Sequence, residues 1–300
     1  MRLLNFGSCN VDHVYSLENI VSPGETVSTY SLELFAGGKG LNQSIAAAKA
    51  GMKVFHAGCI GEDGQMLADL LSGSGVDIRY LKTVKEKTGH AIIQVSRKGE
   101  NSILLYGGAN LSVDKEFIDT VLTDFSQGDI LLLQNEISCV DYLVQRASEI
   151  GLKVCLNPSP FNEAINDIDI SRLSYLILNE HEAKQLCGAD DRTRIKDSLL
   201  SRYPDLTTVL TLGGAGAVCF DASETVYHPA FSVNVVDTTA AGDTFTGYFL
   251  ASISEGLSKK DALAKASAAS ALAISKMGAA PSIPCRKDVD EAQKILKPLE

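Results

Sequence analysis

Three hundred residues, 45% of them hydrophobic and 21% charged, suffice for one large domain or two with a substantial core, and the balance is that of a folded chain, not a disordered one. Lys and Arg number 27 against 37 Asp and Glu, a net charge of −10, and an acidic surface repels a phosphodiester backbone, which excludes nucleic acid as a partner. A mononucleotide stays admissible, because helix N-termini and backbone amides bind phosphate without basic side chains.

In chain order, Leu3–Gly7 reads as a buried strand, followed by Asn10 and Asp12. Val14–Phe35 lacks helical periodicity. Gly37-Gly38-Lys39-Gly40 then opens a helix over Asn42–Ala50. It is not a Walker A loop, since no Gly lies five before Gly38 and no Ser or Thr follows Lys39. Such glycines either serve architecture or admit a ligand close to the backbone, where Asn42 in the first turn could bond a hydroxyl. A strand at Val54–Ile60 and a helix at Gln65–Leu71 follow. Within Thr88–Gly108, two β-runs flank Arg97-Lys98-Gly99-Glu100, the pattern of a hairpin.

The alternation resumes with a helix at Val113–Thr123, a strand at Ile130–Gln134 with Glu136 just beyond, and a helix at Val140–Ile150. Strands at Lys153–Asn157 and Tyr175–Leu178, a helix at Glu180–Cys187 and a strand at Thr208–Leu212 come next. Thr211-Leu212-Gly213-Gly214-Ala215-Gly216 continues into another β-run at Ala217–Phe220, not into the helix of a dinucleotide fingerprint. Helices at Ala241–Ser254, Lys260–Lys276 and Lys287–Leu296 complete the chain.

This order predicts an α/β fold: a three-layer α/β/α core on a mainly parallel sheet, formed by residues 1–13, 36–87 and 109–300. Residues 14–35 and 88–108 are assigned to a small inserted β-sheet of the kind that covers an active site. The strongest chemical signal is Asp237-Thr238-Thr239-Ala240-Ala241-Gly242-Asp243, which runs into a helix with Phe245, Phe249 and Ile253 on one face. Small residues there would let a phosphate reach the N–H groups of Ala241, Gly242 and Asp243, with Asp243 placed as a general base. An ordinary N-cap explains the spacing equally well. Asn10, Asp12 and Glu136 lie beside C-terminal strand ends, where open α/β sheets bind ligands, and suit a polyol. Asn179 and Glu182 could meet a nucleotide phosphate or the water shell of a metal, or simply cap a helix. The histidines lack zinc-ligand spacing.

Taken together, these segments resemble the ribokinase family of carbohydrate kinases, also called the PfkB family, over essentially the whole chain. The resemblance rests on G-G-K-G-x-N-Q at Gly37–Gln43 and D-T-x-A-A-G-D at Asp237–Asp243. It implies transfer of the ATP γ-phosphoryl group to a sugar hydroxyl under a β lid, with Asp243 as catalytic base and an anion hole at Ala240, Ala241 and Gly242. It further implies sugar contacts at Asn10, Asp12, Gly38, Lys39, Asn42, Glu136 and Asp243. ATP contacts are implied at Asn179, Thr211, Gly213, Gly216 and Gly242. Magnesium would be held through water by Glu182. Potassium would lie beside Asp237, Thr239, Ala273, Lys276, Gly278 and Ser282, with Lys276 standing where many members have Arg.

Because the sugar-side positions offer acids, amides and Lys39 alone as a cation, a neutral polyol such as ribose is expected before a phosphosugar. Kinases of 2-deoxyribose, fructose or a nucleoside are the alternatives within the fold; a non-catalytic sugar-binding regulator and a nicotinamide-dependent oxidoreductase are those outside it. The family also implies a homodimer through the lid. Seven scattered cysteines without C-x-x-C pairs, no signal-peptide pattern, and no apolar run near the ~20 residues of a membrane helix lead us to expect a cytoplasmic protein without a membrane partner.

Overall fold

The computed structural model describes residues 1–299. Seven parallel strands form the heart of the larger sheet: β1 (Leu3–Phe6), β4 (Val54–Gly61), β5 (Asp77–Val84), β8 (Ile130–Gln134), β9 (Lys153–Asn157), β10 (Tyr175–Asn179) and β11 (Thr207–Thr211). Two antiparallel strands, β12 (Ala217–Phe220) and β13 (Thr225–His228), extend one edge, giving the order β13-β12-β11-β10-β9-β8-β1-β4-β5. The chain grows outward from β1 in one direction through β4 and β5, and in the other from β8 through β11. The connection therefore reverses between β1 and β8, and in open α/β sheets that reversal leaves a crevice at the carboxyl ends of the strands.

The central strands read as unbroken apolar runs because both faces are covered. Leu3, Ile130 and Leu132 pack on one side with α1 (Lys39–Lys49), α2 (Gln65–Gly73), α7 (Ala241–Ser254), α8 (Lys259–Ile274) and α9 (Arg286–Ala292). Leu4, Leu131 and Leu133 pack on the other with α3 (Lys115–Leu122), α4 (Val140–Glu149), α5 (Glu180–Cys187) and α6 (Arg192–Arg202). Successive residues alternate between the two clusters, as the period of a strand requires. This is the α/β sandwich expected from the sequence. The last two helices stop earlier than the pattern suggests, at Ile274 and Ala292.

The smaller sheet has the order β3-β2-β6-β7, built from β2 (Asn10–Leu17), β3 (Ser31–Gly37), β6 (Gly89–Ser96) and β7 (Asn101–Tyr106). The pair β6 and β7 is the expected hairpin, whereas β2 and β6 run parallel. The sheet begins at Asn10 and not at Val14, so Asn10 and Asp12, which follow β1, lie within its first strand. Two glycines fix how α1 enters the core. A Cβ on Gly40 would sit 2.3 Å from the backbone N of Ser8, and Gly38 adopts φ +95° against the Ser8 carbonyl, so the start of α1 lies directly on the end of β1.

Candidate active site

Four segments converge at the reversal point: the β1–β2 turn, the start of α1, the segment after β8 and the start of α7. The backbone N–H of Lys39 donates to Glu136 Oε2 at 3.0 Å, and the Ser8 hydroxyl donates to the same oxygen. Asp12 lies against Gly37, where a Cβ would come within 2.2 Å of its carboxylate, so only glycine leaves the acid room. Asn10 is buried, and its Oδ1 accepts from Asn110 Nδ2 at 2.7 Å; Gly38 lies beside its backbone N. Asn42 Nδ2 donates to Asp243 Oδ2 at 3.1 Å. The structure thus draws Asn10, Asp12, Gly38, Lys39, Asn42, Glu136 and Asp243 into one neighbourhood.

Burial and the charge of Glu136 push the Asp12 carboxyl up to about 6. Burial raises Glu136 as well, with Lys39 and the Ser8 and Lys39 hydrogen bonds pulling the other way. Burial pulls the Lys39 ammonium down, but Asp243, Glu136 and Glu182 outweigh it and hold the group above its usual value. A cation that three carboxylates stabilise stays charged.

The start of α7 has no side-chain cap. Its N-cap is Ala240, at φ +58°, and Asp237 turns away to accept from Thr239 N at 2.9 Å, Thr239 Oγ1 at 2.6 Å and Gly278 N at 2.8 Å. The N-cap explanation of this motif therefore does not describe the helix. One expected anion donor is already engaged, because Ala241 N–H donates to the Thr238 carbonyl at 3.2 Å. Among the described residues the N–H groups of Gly242 and Asp243 have no such partner, and a Cβ on Gly242 would meet nothing within 4 Å. These amides and the helix dipole face open space that suits an anion.

That space is a cleft in two parts. A cavity of about 210 Å³ is bordered by Lys39, Asn179, Glu182, Gly242 and Asp243. It shares Asn179, Thr211, Ala241 and Gly242 with a larger cavity of about 510 Å³, whose far walls include Gly213, Gly216, Phe231, Val233 and Ala271. The small polar part and the long apolar part match the phosphates and the base of a nucleotide. Asn179 and Glu182 do form a capping box: Glu182 N donates to Asn179 Oδ1 at 2.9 Å, and Asn179 N to Glu182 Oε2 at 3.0 Å. They cap α5, and they also border the cavity.

Asp237 also joins two loops. Through Gly278 N, and through the N–H groups of Val236 and Asp237 on the Ile274 carbonyl, the approach to α7 is tied to the segment after α8. Thr239, Lys276, Gly278 and Ser282 lie along these two loops and Ala273 in the last turn of α8; the Ala273 carbonyl accepts from Lys276 N, and the Ser282 hydroxyl donates to the Ala279 carbonyl.

Several residues of the site were not singled out from the sequence. Ser8 and Asn110 fix Glu136 and Asn10, while Gln43, Gln134 and Asn157 connect to Asp243. Gln43 stands inside the first motif, and a glutamine ending a run of three leucines at Gln134 is itself a signal, since a buried amide requires partners. Nothing local marks Asn110.

A carboxylate between a polar pocket and an uncapped helix N-terminus, at the reversal point of an α/β sheet, is the arrangement of a phosphotransferase acting on a hydroxyl. Residues 2–286 match the model of the pfkB family carbohydrate kinases, and the chain belongs to that family: it is a carbohydrate kinase. It is 37% identical to a ribokinase of Haemophilus influenzae over 294 residues, covering 95% of this chain and 96% of that protein. A ribokinase of Cryptococcus neoformans in complex with ADP superposes with a TM-score of 0.86 at 34% identity, covering 97% and 99% of the two chains. An Arabidopsis thaliana ribokinase complexed with ribose and ATP superposes with 0.87 at 31% identity, covering 98% and 99%. Among the described residues no helix is long and apolar enough to cross a membrane.

Proposed function

We propose that this kinase transfers the γ-phosphoryl group of ATP to ribose, forming ribose 5-phosphate. The observation that carries the reading is the place of Asp243: its carboxylate touches Asn42 on the sugar side, while its own backbone N–H and that of Gly242 open onto the cavity beyond. A hydroxyl held beside Asn42 would give its proton to Asp243 as it attacks, and charge developing on the transferred group would meet the start of α7 and Lys39. Asp12, Glu136, Asn10 and Asn42 supply acceptors and amides for a polyol. Lys39 is the cation of this side and already faces Asp243, Glu136 and Glu182, a poor clamp for a phosphosugar.

ATP occupies the two-part cleft, its phosphates beside Asn179, Ala240, Ala241 and Gly242 and its base toward Thr211, Gly213 and Gly216. Glu182 borders the phosphate end with one carboxylate oxygen engaged by Asn179, which fits a magnesium ion held through water; such an ion neutralises phosphate charge. A potassium ion beside Asp237, Thr239, Ala273, Lys276, Gly278 and Ser282 would order the start of α7. Coupled ADP release with ribose, 2-deoxyribose, fructose and adenosine tests the reading. Ribose is expected to give the highest kcat/KM, and a preference for another acceptor, or no release with any, would overturn it.

The smaller sheet is the lid in this reading. Leu32, Leu34 and Leu104 are exposed on one side of it, an apolar face suited to a second copy of the chain. Sedimentation of the wild type and of Leu104→Glu decides this: a dimer that the variant weakens supports it, and a monomeric wild type contradicts it.

A further inference from the structure

Gln43 and Gln134 take no part in the binding and catalysis described above, yet each is completely or almost completely buried beside it. Gln43 uses its whole amide. Its Nε2 donates to Asp243 Oδ1 at 2.9 Å and to Asn157 Oδ1 at 3.1 Å, and its Oε1 accepts from Gln134 Nε2 at 2.7 Å. The direction of each bond is fixed from outside. Asn157 Nδ2 donates to the Ile177 carbonyl at 2.8 Å, so its oxygen faces Gln43. Gln134 Nε2 also donates to Asn5 Oδ1 at 3.0 Å, while Asn5 Nδ2 donates to the Gly40 carbonyl at 2.7 Å. Reversing the Gln43 amide would set its oxygen against the oxygens of Asn157 and Asp243, which the network forbids.

Two further facts distinguish this from ordinary core filling. Gln134 Oε1 is buried without a partner, so the amide is kept at the cost of an unsatisfied acceptor where a leucine would have packed. And Asp243 receives its two donors on different oxygens: Gln43 holds Oδ1, leaving Oδ2, shared only with Asn42, to face the sugar side.

We propose that Gln43, oriented by Gln134, is a positioning residue of the reaction, fixing the Asp243 carboxylate so that Oδ2 is the oxygen that accepts the proton of the sugar hydroxyl. The proposal rests on Asp243 being the base. Lys39, Glu136 and Glu182 are the other charged groups that act on this neighbourhood, and none of them is moved by the substitutions below.

The test compares Gln43→Met, Gln134→Met and Asp243→Asn with the wild type, reading kcat and KM for ribose and ATP across pH alongside the melting temperature. Gln43→Met should lower kcat about 10- to 100-fold with both KM values within about threefold, the loss expected when a donor to a charged group is removed. Gln134→Met leaves the donors but not their orientation, and should give a smaller loss of kcat, again with both KM values little changed; it decides the question if Gln43→Met fails to fold. A folded Gln43→Met or Gln134→Met with kcat within twofold of wild type, or a loss that falls on KM and not on kcat, overturns the proposal. An active Asp243→Asn instead removes the base assignment beneath it, so the two failures are distinguishable.

Discussion

Asn42 and Asp243 are 201 positions apart in sequence and 3.1 Å apart in the fold. The contact exists because α1 and α7 pack with almost no space between them. A Cβ on Gly247 would lie 2.5 Å from Ala46 Cβ and 2.6 Å from Ala47 N. Gly247→Ala should therefore force the helices apart, at about 1–3 kcal/mol for overpacking, and lower kcat by lengthening the Asn42–Asp243 contact one turn away. Gly73→Ala, also at a helical position but with nothing within 4 Å, is the control and should leave both stability and kcat intact. Thermal melts and steady-state kinetics on the two variants check this.

The pH dependence of sugar use should report Asp12. Burial and Glu136 raise its carboxyl to about 6, so the carboxylate that accepts sugar hydroxyls is lost as pH falls through that value. At pH 5 roughly a tenth of the enzyme would retain the charge, and kcat/KM for ribose should fall about tenfold from its value near pH 7.5. Asp12→Asn should lower kcat/KM at neutral pH and flatten this limb. A wild-type profile level from pH 7.5 to 5 would contradict the assignment.

The larger features of the fold were legible because burial imposes them. Ile130–Gln134 and Lys153–Asn157 are apolar on both faces, and no polar strand survives in the middle of a covered sheet. The elements not read are those whose burial is slight. Edge strand β5 interleaves Asp77, Arg79 and Lys82 with apolar residues, and α6 buries only Ile195 and Leu199 among charged neighbours. The start of the smaller sheet at Asn10, ahead of Val14, escapes for a different reason, since nothing local tells a strand start in a second sheet from a turn after the first. The Gly37–Gln43 and Asp237–Asp243 segments could be read singly from their glycines and acids. That Gln43 would meet Gln134, 91 positions away, and Asn157, 114 positions away, is tertiary information carried by no local pattern.

A potassium requirement should appear in rate measurements at constant ionic strength. Potassium should give a higher kcat than sodium or a bulky organic cation, and Asp237→Ala, which unties Thr239 and Gly278, should reduce kcat and abolish the difference. Equal wild-type rates in all three salts would remove the ion from the account.

The most direct measurement is kcat of Asp243→Asn with ribose and ATP, made together with nucleotide affinity on the same preparation. The substitution preserves shape while removing the proton acceptor, and its amide keeps only one of the two contacts that Asn42 and Gln43 make with the carboxylate. General-base catalysis contributes about 10²- to 10⁴-fold, so kcat should fall by that range with ATP affinity nearly unchanged. A variant that keeps most of its kcat would show that Asp243 does not accept the proton.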